Sequence, residues 1–586
     1  MFYPHAEIYY ISPHGDNANT GLDTDHPWRT FEHAFTEVWT DTEPVVLRLI
    51  NGPMHLGIGR DNALPWYDVL QNESRRPDLT IEGYPGLQTI TGIDSRFILT
   101  NWSAPVGEDY YERVWPQNQI FNFPALPDTN AQGDTLWYAD SVDVEPSYPT
   151  IPFDGSFLKH REFVGYVYNN QGSFEYGSYV MYPEQFVDEG DPDENTWSVN
   201  VRFPFQDKRI RIHADVPFVT FTDTTVYKWY TPRLQTLFNF HEVNSITLKN
   251  LRFTLTSPYQ GEPAVQIKLC SNVRIDNCHF DYNGGRGLTI TKCIAGFDEV
   301  NMEYYCDPEV SEDSPSVLIT NSTFNHNGTY GLFAQDCVGM GIFDCDISYN
   351  NWRAYRSKRM DHDCGGSKLH RVHDVCVEDV SFHENQGVGL WFDQDAHNIS
   401  INSINSSNNY SGGLIIEMSE ENILIQGGML AQNGQKPDTN SVAFWFPGDL
   451  GLTVAGQVLV QGLHIDENHA GQKATPIRIG GMHRDGGLII CSENTINRAM
   501  GAIIFVECTI ERHTGSFPFI SFHPGISDTN RCAFFTANLL YGGNSWNTGG
   551  VWEDDLPYDI QSRIDHCEGV LPTPWRPPYP YPHVFE

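Results

Sequence analysis

Long apolar runs and basic residues are both scarce in this chain of 586 residues. No stretch of about 18 apolar residues occurs, so we expect no transmembrane helix and no membrane partner. Lys and Arg total 36 against 75 Asp and Glu, and the net charge of −39 argues against a nucleic-acid partner because phosphates repel such a chain. The first residues lack a basic segment followed by an apolar one, which predicts a cytoplasmic protein, or a secreted one whose leader has been removed.

Common cofactor and metal motifs are also missing. The sequence has no GxSxG, no P-loop, no GxGxxG after a strand and no CxxC pair. All twelve cysteines lie at or after Cys270, mostly in strand-like segments, so we expect them to be buried small side chains; the disulfide status of Cys293 and Cys306, which flank one loop, stays open. An Asp-His-Asp triplet at 361–363 has no further ligand set. We therefore expect no metal and no cofactor.

Short β-branched segments recur after asparagine-marked turns. The turns are at Asn283, Asn327, Asn350, Asn385, Asn409 and Asn433. They are separated by 44, 23, 35, 24 and 24 residues. A unit of about 23 residues predicts an all-β fold, a parallel β-helix in which each coil is a turn of short strands. The asparagines would form a ladder at one corner, and the longer separations predict loops near 292–314 and 359–372.

The repeat divides the chain into four predicted regions. Residues 1–102 form an N-terminal cap and the first coils. The repeat is absent from 103–235, which is rich in aromatic residues and proline and predicts an inserted β-sandwich-like domain. Residues 236–555 form the main β-helix with its groove, and 556–586 form a proline-rich strap.

Alternation along the strands predicts two outward-facing columns of side chains. The first column contains Thr289, Phe333, Arg356, Trp391, Ile415 and Trp445. The second contains Thr291, Gln335, Lys358, Asp393, Glu417 and Pro447. Asp393 and Glu417 would then lie on adjacent coils with their carboxyl groups about 5 Å apart, the separation found in retaining glycosidases.

The predicted neighbours suggest a role for each carboxyl group. Lys358 would keep Asp393 ionised as a nucleophile, and apolar surroundings would make Glu417 a proton donor. Trp391 and Trp445 would present flat faces to sugar rings. The remaining candidate substrate-binding residues are Arg356, Lys358, Gln335 and His397. The competing interpretation is that outward acids serve solubility only, and a register slip of one residue would turn both carboxyl groups into the core.

Six basic residues are concentrated between positions 353 and 371. They are Arg353, Arg356, Lys358, Arg359, Lys368 and Arg371. They could form a positive wall that holds a carboxylate or sulfate of the substrate. They could equally be neutralised by nearby acids, and the sequence leaves both possibilities open.

The segments GLWFDQD and GLIIEMS, one coil apart, resemble the β-helical glycoside hydrolases, especially the β-xylosidase family and related fucosidases and xylanases. The segment 8–35 also resembles the cap that opens many right-handed, pectate-lyase-like β-helices. The resemblance implies that Asp393 is the nucleophile and Glu417 the acid/base. Gln394 and Asp395 depart from the family pattern, and the basic segment has no counterpart in it, so the sugar is not implied.

Three functions are compatible with these features. The leading one is a retaining glycoside hydrolase acting on plant or algal oligosaccharides or polysaccharides, either neutral or anionic. The second is a polysaccharide lyase or uronate epimerase that uses Lys or Arg in the same groove. The third is a non-catalytic carbohydrate-binding solenoid. The linkage, endo or exo action and the oligomeric state are not predicted.

Overall fold

The computed structural model describes the coils and leaves several intervening segments undescribed. The described residues are 6–38, 43–56, 66–69, 78–92, 111–114, 134–139, 141–142, 161–162, 165–167, 197–202, 207–212, 234, 236–243, 245–256, 263–293, 316–351, 364–417, 419, 422–434, 448–453, 458–467, 477–479, 503–512, 520–522, 532 and 544–547.

Parallel strands stack coil upon coil along the chain. One sheet of 11 strands carries the two columns predicted above. Its strands are Trp66–Val69, Thr236–His241, Pro263–Lys268, Arg286–Thr291, Tyr330–Gln335, Gly365–His370, Val388–Asp393, Gly412–Glu417, Gly448–Thr453, Ile477–Ile479 and Ile520–Phe522. The fold class predicted from the repeat, a parallel β-helix, is confirmed.

The other faces of the solenoid form a 22-stranded sheet. It consists of two stacks of parallel strands, which are joined by the two longest strands, His397–Ser407 and Ile423–Ala431. The strands are Glu7–Ile11, Val45–Leu49, Met54–His55, Leu79–Gly83, Gln88–Thr91, Ser245–Lys249, Leu251–Thr254, Asn272–Asp276, His279–Asp281, Val317–Thr320, Thr323–Asn325, Val338–Phe343, Asp346–Ser348, His373–Glu378, Ser381–His383, His397–Ser407, Ile423–Ala431, Val458–Gln461, His464–Glu467, Ile503–Val506, Thr509–Arg512 and Ser545–Asn547.

Within the described residues, one long stretch of antiparallel strands interrupts the parallel coils in sequence. Ile246 pairs with Leu79, so the coil that begins at Leu79 lies directly against the coil that begins at Ser245. In sequence, the chain between these two coils contains a separate antiparallel sheet and an antiparallel pair of strands. The sheet has strands Tyr111–Val114, Asp134–Ala139, Gly165–Val167, Trp197–Arg202 and Asp207–Ile212, and the pair is Ser141–Val142 with Arg161–Glu162. The sheet falls within the residues for which we predicted an inserted β-domain. The predicted strap, 556–586, lies outside the described residues.

Helix Phe31–Val38 precedes the first full coil and buries one face against the end of the solenoid. Thr30 caps it, since the Thr30 hydroxyl accepts a hydrogen bond from the His33 N–H at 3.2 Å. The Phe31 ring packs edge-on against Phe238 of the neighbouring coil, at 5.2 Å between ring centroids. Within the described residues, no helix is long and apolar enough to cross a membrane.

The predicted asparagine ladder is confirmed. Each side-chain amide donates to the amide oxygen of the asparagine on the next coil, over distances of 2.8–3.0 Å from Asn283 to Asn433. Each also donates to a backbone carbonyl, as Asn385 does to Ile347 at 2.9 Å. The asparagines are fully buried, so these bonds satisfy amides that would otherwise be costly to bury.

Glycines make room for this ladder. On the strand after each turn, the second position is Gly287, Gly331, Gly366, Gly389 or Gly413. A Cβ at Gly389 would lie 2.8 Å from Asn409 Nδ2. At the last rung Asp449 takes the glycine position, and its carboxylate accepts the Asn433 amide at 2.7 Å. The ladder therefore ends on a carboxylate rather than on a further asparagine.

The core between the sheets is apolar and continuous. Phe253, Phe280 and Phe324 stack within it at successive centroid distances of 5.0 Å. Cys293 is buried and free, and burial raises the pKa of the Cys278 thiol to about 12. Eight of the nine cysteines in the described residues are buried, as predicted, and Cys376 is half-buried; Cys532 is disulfide-bonded, and Cys306 lies outside the described residues.

Candidate active site

Asp393 and Glu417 are register partners on adjacent parallel strands. Leu390 and Phe392 on one side of the strand join the solenoid core, so Asp393 projects from the opposite face, as Glu417 does on its own strand. Neighbouring strands are about 4.8 Å apart, which sets a similar distance between the two side-chain positions. The predicted placement of Asp393 and Glu417 on adjacent coils of one column is confirmed.

The other members of the two columns differ from the prediction. His370, and not Lys358, is the register partner of Asp393 and Gln335, and Lys368, and not Arg356, lies between Phe333 and Trp391. On the following coil Gly451 and Thr453, rather than Trp445 and Pro447, pair with Ile415 and Glu417. Arg356, Lys358 and Trp445 themselves lie outside the described residues.

The corrections on the strands Gly365–His370 and Gly448–Thr453 have the same physical reason. The prediction began each strand four residues after the turn asparagine. After Asn350 and Asn433, however, extra residues come between the turn and the strand, which starts at Gly365 and Gly448. The loop predicted at 359–372 is therefore wrong in position, because residues 365–370 of that range form a strand.

The carboxyl groups are in a buried environment. Asp393 is 3% exposed and Glu417 is fully buried. Lys368 Nζ lies 3.0 Å from Asp393 Oδ2, and this ion pair supplies the positive neighbour that we had assigned to Lys358. Among the described residues, Asp393 Oδ1 has no hydrogen-bond partner. One oxygen of the carboxylate is thus held by an ammonium group while the other makes no hydrogen bond.

Trp391 does not form the exposed sugar platform that we expected. Its side chain is 2% exposed and packs with Val388 and Ile415 in a small apolar cluster outside the main core. Lys368 Nζ lies 3.8 Å from the centroid of the Trp391 ring. The ring therefore supports the ammonium group that pairs with Asp393, a cation–π contact made away from bulk water.

His370 is a member of the column that the sequence analysis missed. Its Nε2 donates to Gln394 Oε1 at 3.0 Å, which fixes the tautomer with a proton on Nε2. Burial lowers the pKa of His370, although the hydrogen bond to Gln394 and the negative charge of Asp393 oppose this. The imidazole is therefore neutral at neutral pH. Gln335 lies on the coil before His370 and donates to Asp336 at 3.2 Å.

His397 lies around the corner from Asp393, at the start of strand His397–Ser407 in the other sheet. Its ring stacks with His373, with the centroids 3.7 Å apart. Its Nδ1 lies 3.9 Å from Asp395 Oδ1. The structure thus groups His397 with these two residues, beyond the end of the column.

Two members of the basic segment are described, and both are neutralised. Lys368 pairs with Asp393, and Arg371 donates to both oxygens of Asp336 at 2.6 and 3.0 Å. Burial opposes ionisation of Asp336, yet its pKa is lowered because the hydrogen bonds and charge of Arg371 outweigh it. For these two residues the neutralised arrangement applies rather than the free positive wall.

A sequence signal for Lys368 and His370 was present. The segment GGSKLH at 365–370 repeats the pattern of a glycine in second position and an apolar residue in fifth, as in VGLWFD and GGLIIE. Gly366 lies on the same rung position as Gly389. Alignment on that glycine, rather than on the asparagine, would have found both residues.

A sequence model of the right-handed β-helix region matches residues 309–446. The fold is a right-handed parallel β-helix. Within this β-helix the match spans the described strands from Val317–Thr320 to Ile423–Ala431, including those that carry Asp393 and Glu417. No curated protein sequence matches the chain.

Solved structures similar to this β-helix include carbohydrate-active proteins. One is XylC in complex with xylose, at 10% identity and a TM-score of 0.49, covering 89% of this chain and 86% of that one. A second is a glycoside hydrolase, at 11% identity and a TM-score of 0.38, covering 95% and 98%. A third is the GH136 lacto-N-biosidase from Eubacterium ramulus, at 9% identity and a TM-score of 0.33, covering 94% and 67%. At these identities the likeness concerns the fold.

Proposed function

We propose that this β-helix is a retaining glycoside hydrolase with Asp393 as nucleophile and Glu417 as general acid/base. The observation that supports it most directly is the register pairing of the two carboxyl groups on one face of the sheet. That pairing implies a carboxyl separation of about 5 Å, which suits direct attack by one group, whereas inverting enzymes need about 6.5–9.5 Å to admit a water.

The two oxygens of Asp393 suit different tasks. Oδ2 is held by Lys368, which fixes the carboxylate plane. Oδ1 would attack the anomeric carbon while the glycosidic C–O bond breaks and Glu417 protonates the leaving oxygen. Water would then cleave the glycosyl–Asp393 ester, with Glu417 taking the water proton. The two steps balance and leave both carboxyl groups in their starting states.

The ion pair also bears on the alternative lyase or epimerase. Such a reaction needs a neutral base next to a uronate carboxylate. Lys368 pairs with Asp393 and is therefore charged, which makes it a poor base. His370 is neutral and would be the base if the chemistry were elimination. The hydrolase is favoured because both carboxyl groups then have a role.

The test is a panel of aryl glycosides, beginning with an aryl β-xyloside because of the sequence resemblance, together with uronate-containing polysaccharides. Wild type is compared with Asp393→Asn and Glu417→Gln. Asp276→Asn is the matched control, since Asp276 also pairs with a lysine but lies on another sheet. Circular dichroism confirms that each variant is folded.

If the protein is a retaining hydrolase, the two variants should lose activity in different ways. Asp393→Asn should lose activity on every substrate. Glu417→Gln should lose about 10²–10⁴-fold on poor leaving groups and much less on a dinitrophenyl glycoside, which needs no proton. NMR should show the product first formed with the anomeric configuration of the substrate. Unsaturated uronate that persists in Asp393→Asn would instead indicate a lyase, and inverted product would exclude Asp393 as nucleophile.

A further inference from the structure

Three side chains with metal-binding chemistry converge beyond the ends of the adjacent strands Gly365–His370 and Val388–Asp393. His373 and His397 are register partners on adjacent coils, and Asp395 precedes His397 by two residues. Gln394 and Asp395 both have left-handed backbone conformations, with φ of 50° and 52°. This turn brings the Asp395 carboxylate back to the two imidazole rings.

The distances within the cluster suit a shared ion better than direct ion pairs. His373 Nε2 lies 3.9 Å from Asp395 Oδ2, and His397 Nδ1 lies 3.9 Å from Asp395 Oδ1. One potential ligand atom from each of the three residues lies within 4.8 Å of the others. Among the described residues, no other group of three His, Cys, Asp or Glu side chains meets this condition.

We propose that His373, Asp395 and His397 form a binding site for a divalent transition-metal ion of the zinc type. Metal–ligand bonds of about 2.0–2.2 Å in a tetrahedron place neighbouring ligand atoms about 3.4 Å apart. The two His–Asp395 separations need to shorten by roughly half an ångström, and the largest separation in the cluster by up to about 1.4 Å, to reach that geometry. Two imidazoles and one carboxylate suit zinc, cobalt or nickel, whereas calcium and magnesium prefer oxygen ligands.

The close approach of the two imidazoles disfavours a state in which both are protonated. The ring centroids are 3.7 Å apart, so two protonated rings would repel each other strongly. Burial lowers the pKa of His373, and the neighbouring His397 adds to the effect. Nε2 of His373 is the ring nitrogen that approaches the Asp395 carboxylate, so it is the atom that would bind the ion.

The cluster differs from the plain ring stack elsewhere on the solenoid. Tyr282, His326 and Tyr349 stack nearly parallel, with interplanar angles of 11° and centroid distances of 4.6 and 4.8 Å. The His373 and His397 rings lie closer and are tilted by 30°, with a carboxylate near one nitrogen of each. Stacking alone does not explain that carboxylate.

The three residues leave a fourth tetrahedral position for water. A bound ion would tie two coils together at the turn that begins directly after Asp393. The site does not depend on the proposed hydrolase activity, because none of its ligands belongs to the column of Asp393 and Glu417. It departs from the expectation of no metal drawn from the sequence, which examined only the triplet at 361–363.

The experiment uses the full chain after treatment with a chelator. Equilibrium dialysis against Zn²⁺, with bound zinc measured by mass spectrometry, gives the stoichiometry and affinity. Co²⁺ substitution shows the ligand type, because nitrogen and oxygen ligands give weak visible bands and thiolates add strong near-ultraviolet absorption. The variants are His373→Gln, His397→Gln and Asp395→Asn. His383→Gln is the control, since His383 also contacts an aspartate but, within the described residues, belongs to no group of three metal-binding side chains.

We expect one equivalent of zinc, with affinity at least about tenfold weaker in each ligand variant and unchanged in His383→Gln. Asp395→Asn alters only an exposed side chain, so it tests the site even if a histidine variant fails to fold. The proposal is overturned if wild type holds no zinc at about 100 μM, if the ligand variants bind as wild type does, if His383→Gln loses as much, or if Co²⁺ reports thiolate ligands.

Discussion

The ion pair between Lys368 and Asp393 offers a quantitative test of the candidate site. The two groups are 3.0 Å apart, and their side chains are 11% and 5% exposed. Lys368→Met removes the charge while keeping most of the stem, and Asp393→Asn removes the other charge at nearly constant volume. The two variants and their combination form a double-mutant cycle that isolates the interaction.

The structure sets the expected size of the coupling. At 3.0 Å and an effective dielectric constant of about 20, the Coulomb attraction is about 5 kcal/mol. The desolvation of both charges offsets part of it, and the Lys368–Trp391 contact adds about 1–2 kcal/mol to the lysine side alone. Each single variant leaves one uncompensated buried charge and should cost about 3–5 kcal/mol. The coupling free energy should be about 2–4 kcal/mol.

The assay is urea denaturation followed by circular dichroism at neutral pH. A matched control exists in the same protein, because Lys249 and Asp276 lie at nearly the same distance, 3.1 Å, but their side chains are 45% and 34% exposed. The same cycle on that pair should give a coupling below about 0.5 kcal/mol. Equal couplings for the two pairs would refute the claim that Asp393 is held by a desolvated charge.

Three further predictions concern the scaffold. Asn385→Ala removes four hydrogen bonds and leaves buried groups unsatisfied, so it should lower the free energy of unfolding by about 3–5 kcal/mol, against at most about 0.5 for the exposed amide in Asn277→Gly. Gly389→Ala places a Cβ only 2.6 Å from a side-chain oxygen and should cost about 1–3 kcal/mol in the same urea assay. The hydrogen bond to Asp346 raises the pKa of His383, and the pKa of Asp346 is lowered although burial opposes this. The pair should therefore stabilise the fold between about pH 4 and 6.5 and lose that effect as pH rises further, so the deficit of His383→Gln in urea should be larger at pH 5 than at pH 8; an equal deficit at both values would contradict this.

Much of the fold could be predicted because a solenoid repeats its local rules. The asparagine turns identified the coil length, and alternation within GLWFD and GLIIE identified which side chains face the core. Asp393 and Glu417 are separated by a coil without insertion, so simple counting from the turn placed them on adjacent rungs. Their pairing could therefore be predicted without placing any other part of the sequence.

The remaining members of the site could not be placed by counting. An insertion changes where the next strand begins, and nothing in the turn asparagine encodes the length of the loop after it. Lys368 and His370 were therefore replaced in the prediction by Arg356 and Lys358. The burial of Trp391 could not be predicted either, because an outward-facing residue in a sheet is exposed or covered according to what packs on it.

The columns of this β-helix also separate structural from chemical positions. Where one residue type recurs on successive coils, as in the asparagine ladder or the Phe253–Phe280–Phe324 stack, each copy satisfies the next and the repetition itself stabilises the fold. The column of Asp393 does the opposite. Gln335, His370, Asp393 and Glu417 follow one another without repetition, and two carboxyl groups are buried side by side at an energetic cost. A solenoid has no structural need for that sequence of groups, so this column is where its chemistry is expected.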